Sequence, residues 1–210
     1  MPLPDLPAYL GRVRELTTQY QAGAPEGFDA FRELADLILR ITILAGHGGV
    51  RLAQGPRPNT LVLGGWNGPT DPLPLVNDRY LRVAVTFVRG RVEEGHRIKV
   101  VESSYQYQVD PEGRDWVFRY DFLRHPPDPH PASHLQINGE APPEYLPPGV
   151  SLARIHFPTD RVSLEAVIRL LVDQFAVPTN EETEVWRSVL AESEAPFLGI
   201  RHRSLSGPAG

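Results

Sequence analysis

From Leu81 to Phe87 apolar and small or polar residues alternate: Leu81, Val83, Val85 and Phe87 against Arg82, Ala84 and Thr86. Period two is the mark of a half-buried strand. Two further alternating runs flank Asp110-Pro111-Glu112-Gly113, a type I turn sequence with Asp first, Pro to set φ and Gly last. The segment is therefore a β-hairpin. Closing the turn between Val109 and Arg114 pairs Tyr107 with Trp116, Tyr105 with Phe118 and Ser103 with Tyr120, which puts the aromatic rings on one face. Glu102, Ser104, Gln106, Arg119 and Asp121 fall on the other.

Helical spacing marks the two ends of the chain. Leu10, Val13, Leu16 and Tyr20 predict a surface helix over residues 7–21, ending before Gly23 and Pro25. A second helix over 27–45 carries Phe28, Phe31, Leu34, Leu37, Ile38, Ile41 and Leu44, too many for one narrow stripe, so it is covered on more than one side. Gly46-His47-Gly48-Gly49 stops it; no Lys-Ser/Thr follows, so these glycines do not form a phosphate-binding loop. Near the other end Ser163 caps a helix with Leu164, Val167, Ile168, Leu171 and Phe175 on its buried stripe, Val162 and Val167 standing at the positions of a hydrophobic staple. Pro178 ends it. A last helix over 181–194 turns Val185, Trp186, Val189 and Leu190 inward.

Short strands are expected at Thr60–Leu63, His134–Ile137 and Leu152–Phe157, with Trp66 as a packing anchor in the long connection over 54–79. Arg89-Gly90-Arg91 and Glu93-Glu94-Gly95 read as a turn, and Pro142 to Gly149 as a stiff linker. The βαβ alternation of a parallel sheet is missing. The expected fold is α+β: an antiparallel β-meander of four to six strands, two N-terminal helices, and two C-terminal helices packed on the aromatic face. One domain spans 1–203, with a helical part to residue 50, a sheet with a histidine loop over 80–157 and a helical part over 158–203; a mobile tail follows over 204–210.

Composition adds exclusions. The 210 residues suffice for a core that needs no covalent staple. Cysteine is absent, which removes disulfides, thiolate nucleophiles and cysteine-ligated zinc and fits a reducing cytoplasm. The opening residues lack the basic and apolar regions of a secretory signal, and the apolar run over 37–45 is broken by Arg40 and too short to span a bilayer. A soluble cytoplasmic protein with no membrane partner is the expectation. The net charge of −5 argues against nucleic-acid binding by bulk charge, leaving room only for a local basic patch. Lys99 is the only lysine among 21 basic lysine and arginine residues, which reads as coding bias rather than as chemistry.

Chemistry concentrates after the hairpin. His125, His130 and His134, three of the seven histidines, lie within ten residues broken by prolines. Three readings compete. A metal site needs neutral imidazoles converging on one ion, and His125, His130 and His134 with Asp121 or Asp128 supply enough ligands, though their spacing matches no zinc signature. A metal-independent ribonuclease needs an acid, a base and a cation: His125 and His134, with Arg119 or Arg124, and Tyr120 stacking on a base. In the third reading the imidazoles only hydrogen-bond backbone groups, and Asp121 pairs with Arg119 or Arg124. His156 completes a site only if its strand lies beside 134–137. The aromatic face of the hairpin is core rather than a stacking platform, because the C-terminal helices need a sheet face to cover.

Tyr105-Gln106-Tyr107, Phe118-Arg119-Tyr120-Asp121, His125 and His134 together carry a family likeness. On these residues the stretch from Arg91 to Asn138 resembles the TumE-type proteins of bacterial toxin–antitoxin modules. The likeness covers about half the chain and departs from the family's paired histidines, since Pro126 follows His125 and Leu135 follows His134. His156-Phe157-Pro158-Thr159 and the residues on to Trp186 are similar to a larger group of bacterial proteins with the same hairpin. The resemblance implies a toxin acting on nucleic acid, RNA first, with a cognate antitoxin or defence-complex protein as partner. The alternative is a non-catalytic binding module in such a complex.

Overall fold

The computed structural model describes residues 6–23, 26–46, 48–89, 98–139 and 151–205. Among them are four helices, α1 (Leu6–Ala22), α2 (Glu26–Ile41), α3 (Leu164–Phe175) and α4 (Thr183–Leu205), two at each end of the chain. Between them lies one antiparallel sheet of eight strands: β1 (Val50–Gln54), β2 (Thr60–Gly65), β3 (Leu73–Pro74), β4 (Tyr80–Arg89), β5 (Ile98–Gln108), β6 (Trp116–Leu123), β7 (Ser133–Ile137) and β8 (Phe157–Pro158). The order β1-β2-β4-β5-β6-β7-β8, with β3 beside β4, is the expected α+β meander, two strands wider than the expected upper bound. The turn at 89–95 and the linker at 142–149 fall wholly or mainly outside the described residues.

All four helices cover one face. Leu81, Val83, Val85 and Phe87 of β4 are buried there with Tyr105, Tyr107 and Phe118. Phe28 and Phe31 of α2 meet Phe87 edge-on at 5.9 and 5.0 Å, and Phe175 at the end of α3 packs on Tyr107 and Phe118 at 5.3 and 5.4 Å. Such tilted and edge contacts suit the ring quadrupoles. Ser163 caps α3, accepting from the Ala166 N–H at 3.0 Å and donating to Glu194 of α4 at 2.5 Å. Glu194 also takes Arg169, so the cap ties the two C-terminal helices together.

Several expectations are corrected. Helix α2 ends at Ile41 rather than residue 45: the Ile43 and Leu44 N–H groups both turn back to the Leu39 carbonyl, and Leu44 forms a bridge with Leu75. Asn180, between α3 and α4, satisfies the freed carbonyls, its side chain donating to those of Arg40 and Leu44 at 2.9 and 2.8 Å. Trp66 is no anchor; it is 64% exposed. The strand expected over 152–157 is a 3₁₀ turn at Leu152–Arg154 followed by two-residue β8. Helix α4 runs through Pro196 to Leu205, so Ser204 and Leu205 end a helix, and 206–210 lie outside the described residues.

The hairpin register also differs. Val109 closes the turn by donating to Asp115, one residue beyond Arg114, and a bulge between Tyr107 and Gln108 leaves Val117 unpaired. The two offsets sum to two, so Tyr105 faces Tyr120 and Tyr107 faces Phe118, and the rings keep their face. Trp116 loses it. Opposite Gln108, it joins the polar side of the sheet, where Arg119 lies over its ring at 5.7 Å.

Candidate metal centre

The second face of the sheet is polar by register. Arg82, Gln106, Arg119 and Gln136 stand in one row across β4, β5, β6 and β7, with Asp121 and His134 paired in the next row. Buried polar groups need partners, and here they find one another. Arg82 donates to Gln106 at 3.2 Å and Gln106 to Gln108 at 2.9 Å. Arg119 donates to Asp121 at 2.8 Å and to the Gln136 carbonyl oxygen. Burial and the neighbouring Arg119 charge lower the Arg82 pKa.

His134 projects from β7 into this network and is buried. Strand β8 adds to the free edge of β7, His134 opposite Pro158 and Leu135 opposite Phe157, which sets His156 just before it on the polar side. The loop after β6 supplies the third imidazole: Leu123 bonds Ala132, a turn closes from Pro127 to the His130 N–H at 2.7 Å, and the Asp128–Pro129 peptide is cis. His130, His134 and His156 meet with ring centroids 4.4 to 4.6 Å apart, the last two stacked at 19°. One candidate ligand nitrogen from each lies within 4.8 Å of the other two.

Hydrogen bonding assigns the lone pairs. His130 Nδ1 lies 3.0 Å from the Pro131 carbonyl, which can only accept, so Nε2 carries the lone pair. His134 Nε2 lies 3.5 Å from the Asp121 carboxylate, while its Nδ1 is buried with no hydrogen-bond partner. With Asp121 taking the Nε2 proton, Nδ1 is left as the acceptor, the relation that orients metal-ligating histidines, while the Pro131 carbonyl pulls the other way by favouring a second proton on this ring. The Gln136 amide, whose oxygen is taken by Arg119, donates to the Ala153 carbonyl and to His156 Nε2, both at 3.2 Å. A metal here competes with that amide for one lone pair. Burial lowers the His134 pKa against the pull of Asp121, with His156 and His130 lowering it further; burial, His130 and Arg119 lower that of His156. Both shifts favour the neutral imidazole at His134 and His156.

The structure brings together only part of the set expected from sequence. His134 and Arg119 share the polar face with Asp121, and His130 joins them. His125 is exposed and outside the cluster, so the trio of His125, His130 and His134 is replaced by one in which His156 takes the place of His125. Tyr120 lies on the helix-covered face against Phe118 at 5.6 Å, burial raising its pKa. Arg124 donates to the Val100 carbonyl at 2.9 Å and lines a cavity on that same face. The role of Gln136 had one sequence signal, its alternation with His134.

The chain matches no protein-family model, no curated protein and no solved structure. Among the described residues no helix is long and apolar enough to cross a membrane.

Proposed function

We propose that the protein is a metalloprotein in which His130, His134 and His156 hold one divalent transition-metal ion, zinc first, and that the centre acts hydrolytically on an anionic substrate. The observation that carries this reading is the convergence of three imidazoles from two stretches of chain, 130–134 and 156, with a buried Nδ1 that has no partner among the described residues. Imidazole suits zinc and its neighbours, and three protein ligands leave a position for water or substrate. Zinc–nitrogen distances of about 2.0–2.1 Å place tetrahedral ligand atoms roughly 3.3 Å apart, so binding requires the stacked His134 and His156 rings to turn out of parallel and close the 4.8 Å cluster. When bound, the ion supplies Lewis acidity and an activated water.

Among the residues of the chain, Asp121 orients His134, Gln136 gives up its bond to His156 Nε2 when an ion takes that lone pair, and Arg119, with its side chain 31% exposed, offers a cation to an anion at the centre. A phosphodiester satisfies that demand, and the TumE-type likeness makes RNA the first substrate to try. Acid–base catalysis by His125 and His134 without metal has less support, since His125 is exposed and outside the cluster.

The test is metal content after zinc loading and dialysis, with cleavage of total RNA measured with and without chelator. The parent and His125→Ala should hold about one ion per chain, and His134→Ala and His156→Ala should hold far less. A parent that retains no metal refutes the centre. Metal retained without RNA cleavage refutes the RNA reading and favours a structural ion in a protein-binding module.

A further inference from the structure

On the opposite face of the sheet, between it and the helices, lies a cavity of about 340 Å³, at the lower end of small-molecule pockets. Its body is apolar: Phe31, Leu34 and Ile38 of α2, Val85 of β4 and Leu164 of α3, with Phe197 of α4. Its polar wall carries Lys99, Arg124 and Arg161 against one carboxyl, Glu165. Arg161, which precedes the α3 cap, is half-buried, and its buried Nε is a donor with no acceptor among the described residues. The guanidinium rests on the rings of Phe122 at 4.6 Å and Phe197 at 5.3 Å. Arg124 lines the same wall, its Nε spent on the Val100 carbonyl, and exposed Lys99 stands at the rim.

We infer that this cavity binds a small amphipathic monocarboxylate, its apolar body among the α2 and α4 side chains and its carboxylate on Arg161, with Arg124 beside it. Desolvating a guanidinium without an anion is costly, and an arginine fork matches a carboxylate in two parallel hydrogen bonds. Burial lowers the Arg161 pKa, with Tyr105 and Tyr20 pulling against it and the nearby Arg124 charge lowering it further. One carboxylate relieves both. Glu165, which also lines the cavity, opposes an anion only when ionised; burial raises its pKa, against the hydrogen bond that Ser193 donates to it at 2.6 Å. Among the described residues no carboxylate satisfies the Arg161 Nε, and the cavity beside it has room for one from outside. This site shares no residue with the histidine centre and does not depend on the reading of that centre.

The experiment is calorimetric titration of the full-length protein with decanoate and with 1-decanol, which has the same chain without the charge. Decanoate should bind at least about tenfold more tightly, as a charge-assisted hydrogen bond requires. Arg161→Gln should bring decanoate down to the level of decanol and leave decanol unchanged. Ala35→Leu, which puts bulk into the cavity wall, should weaken both, and His134→Ala should weaken neither. Circular dichroism of each variant confirms that it is folded. Failure of decanoate to bind the parent, equal binding of acid and alcohol, or decanoate affinity unchanged in folded Arg161→Gln would each overturn the inference.

Discussion

Replacing Asp121 by Asn tests the metal centre without touching a ligand. The carboxylate sits 3.5 Å behind His134 Nε2, and loss of such an orienting group lowers metal affinity by about 10–100-fold. With free zinc at about 1,000 times the parent Kd, linkage stabilises the parent by ~4.1 kcal/mol, and a tenfold or hundredfold weaker variant by ~2.7 or ~1.4 kcal/mol. The shortfall is about 1.4–2.7 kcal/mol. For a chain of this length each kcal/mol moves Tm by roughly 2–4 °C, so the zinc-induced rise in Tm should be about 3–11 °C smaller in Asp121→Asn. The rise is the quantity to compare, because Asp121 also pairs with Arg119 at 2.8 Å and its loss shifts the metal-free Tm on its own account. That pair is partly exposed and contributes about 1 kcal/mol or less. Differential scanning fluorimetry with and without zinc reads both numbers. Equal zinc-induced rises in parent and variant would refute the argument that Asp121 orients a ligand.

Other outcomes follow from the helices and the core. Burial raises the Glu165 pKa, so folding favours its protonated form; stability from this group is full below the ordinary carboxyl value of 4.5 and declines as pH rises through the folded value. Glu165→Gln should therefore raise Tm at pH 8 and lose that advantage near pH 4; a gain of the same size at both would contradict the assignment. Ser163→Ala removes the α3 cap and should cost about 1 kcal/mol in urea unfolding, with no effect on zinc binding. Ala176 ends α3 at φ 50°, a left-handed conformation that disfavours a Cβ, so Ala176→Gly should stabilise by about 0.5–1 kcal/mol in the same assay. Trp186→Ala, at a site 1% exposed, should cost about 3–5 kcal/mol, whereas Trp66→Ala, 64% exposed, should stay within about 0.5 kcal/mol.

What sequence could announce was whatever repeats locally. Alternation along Leu81–Phe87 and helical spacing around Val167 and Leu171 are one-dimensional consequences of burying one face, and the architecture followed from them. Strand β1 escaped because only Val50 of its five residues is buried, which leaves no alternation to read; β3 and β8 are too short to have a period. The last helix continues past its expected end at 194 and through Pro196, where it tolerates one missing N–H. In the loop, nothing in the spacing of His125 and His130 tells which imidazole turns back over the sheet. That choice is made by the turn from Pro127 to His130, and the arrival of His156 by a two-residue pairing across 22 positions of chain.

The hairpin of β5 and β6 carries a constraint on how such a chain can change length. Its turn and the bulge at Val117 each displace the pairing by one residue, and only their sum leaves Tyr105, Tyr107, Phe118 and Tyr120 under the helices and Arg119 and Asp121 beside the histidines. The two sites on opposite sides of the sheet are thus sorted by the parity of a single count. Losing one residue between Val109 and Asp115, with the bulge retained, would exchange the faces of β6, burying Arg119 under Phe175 and presenting Phe118 to His134. Length variation in this hairpin is tolerable in even steps, and a single insertion survives only where the bulge is erased with it.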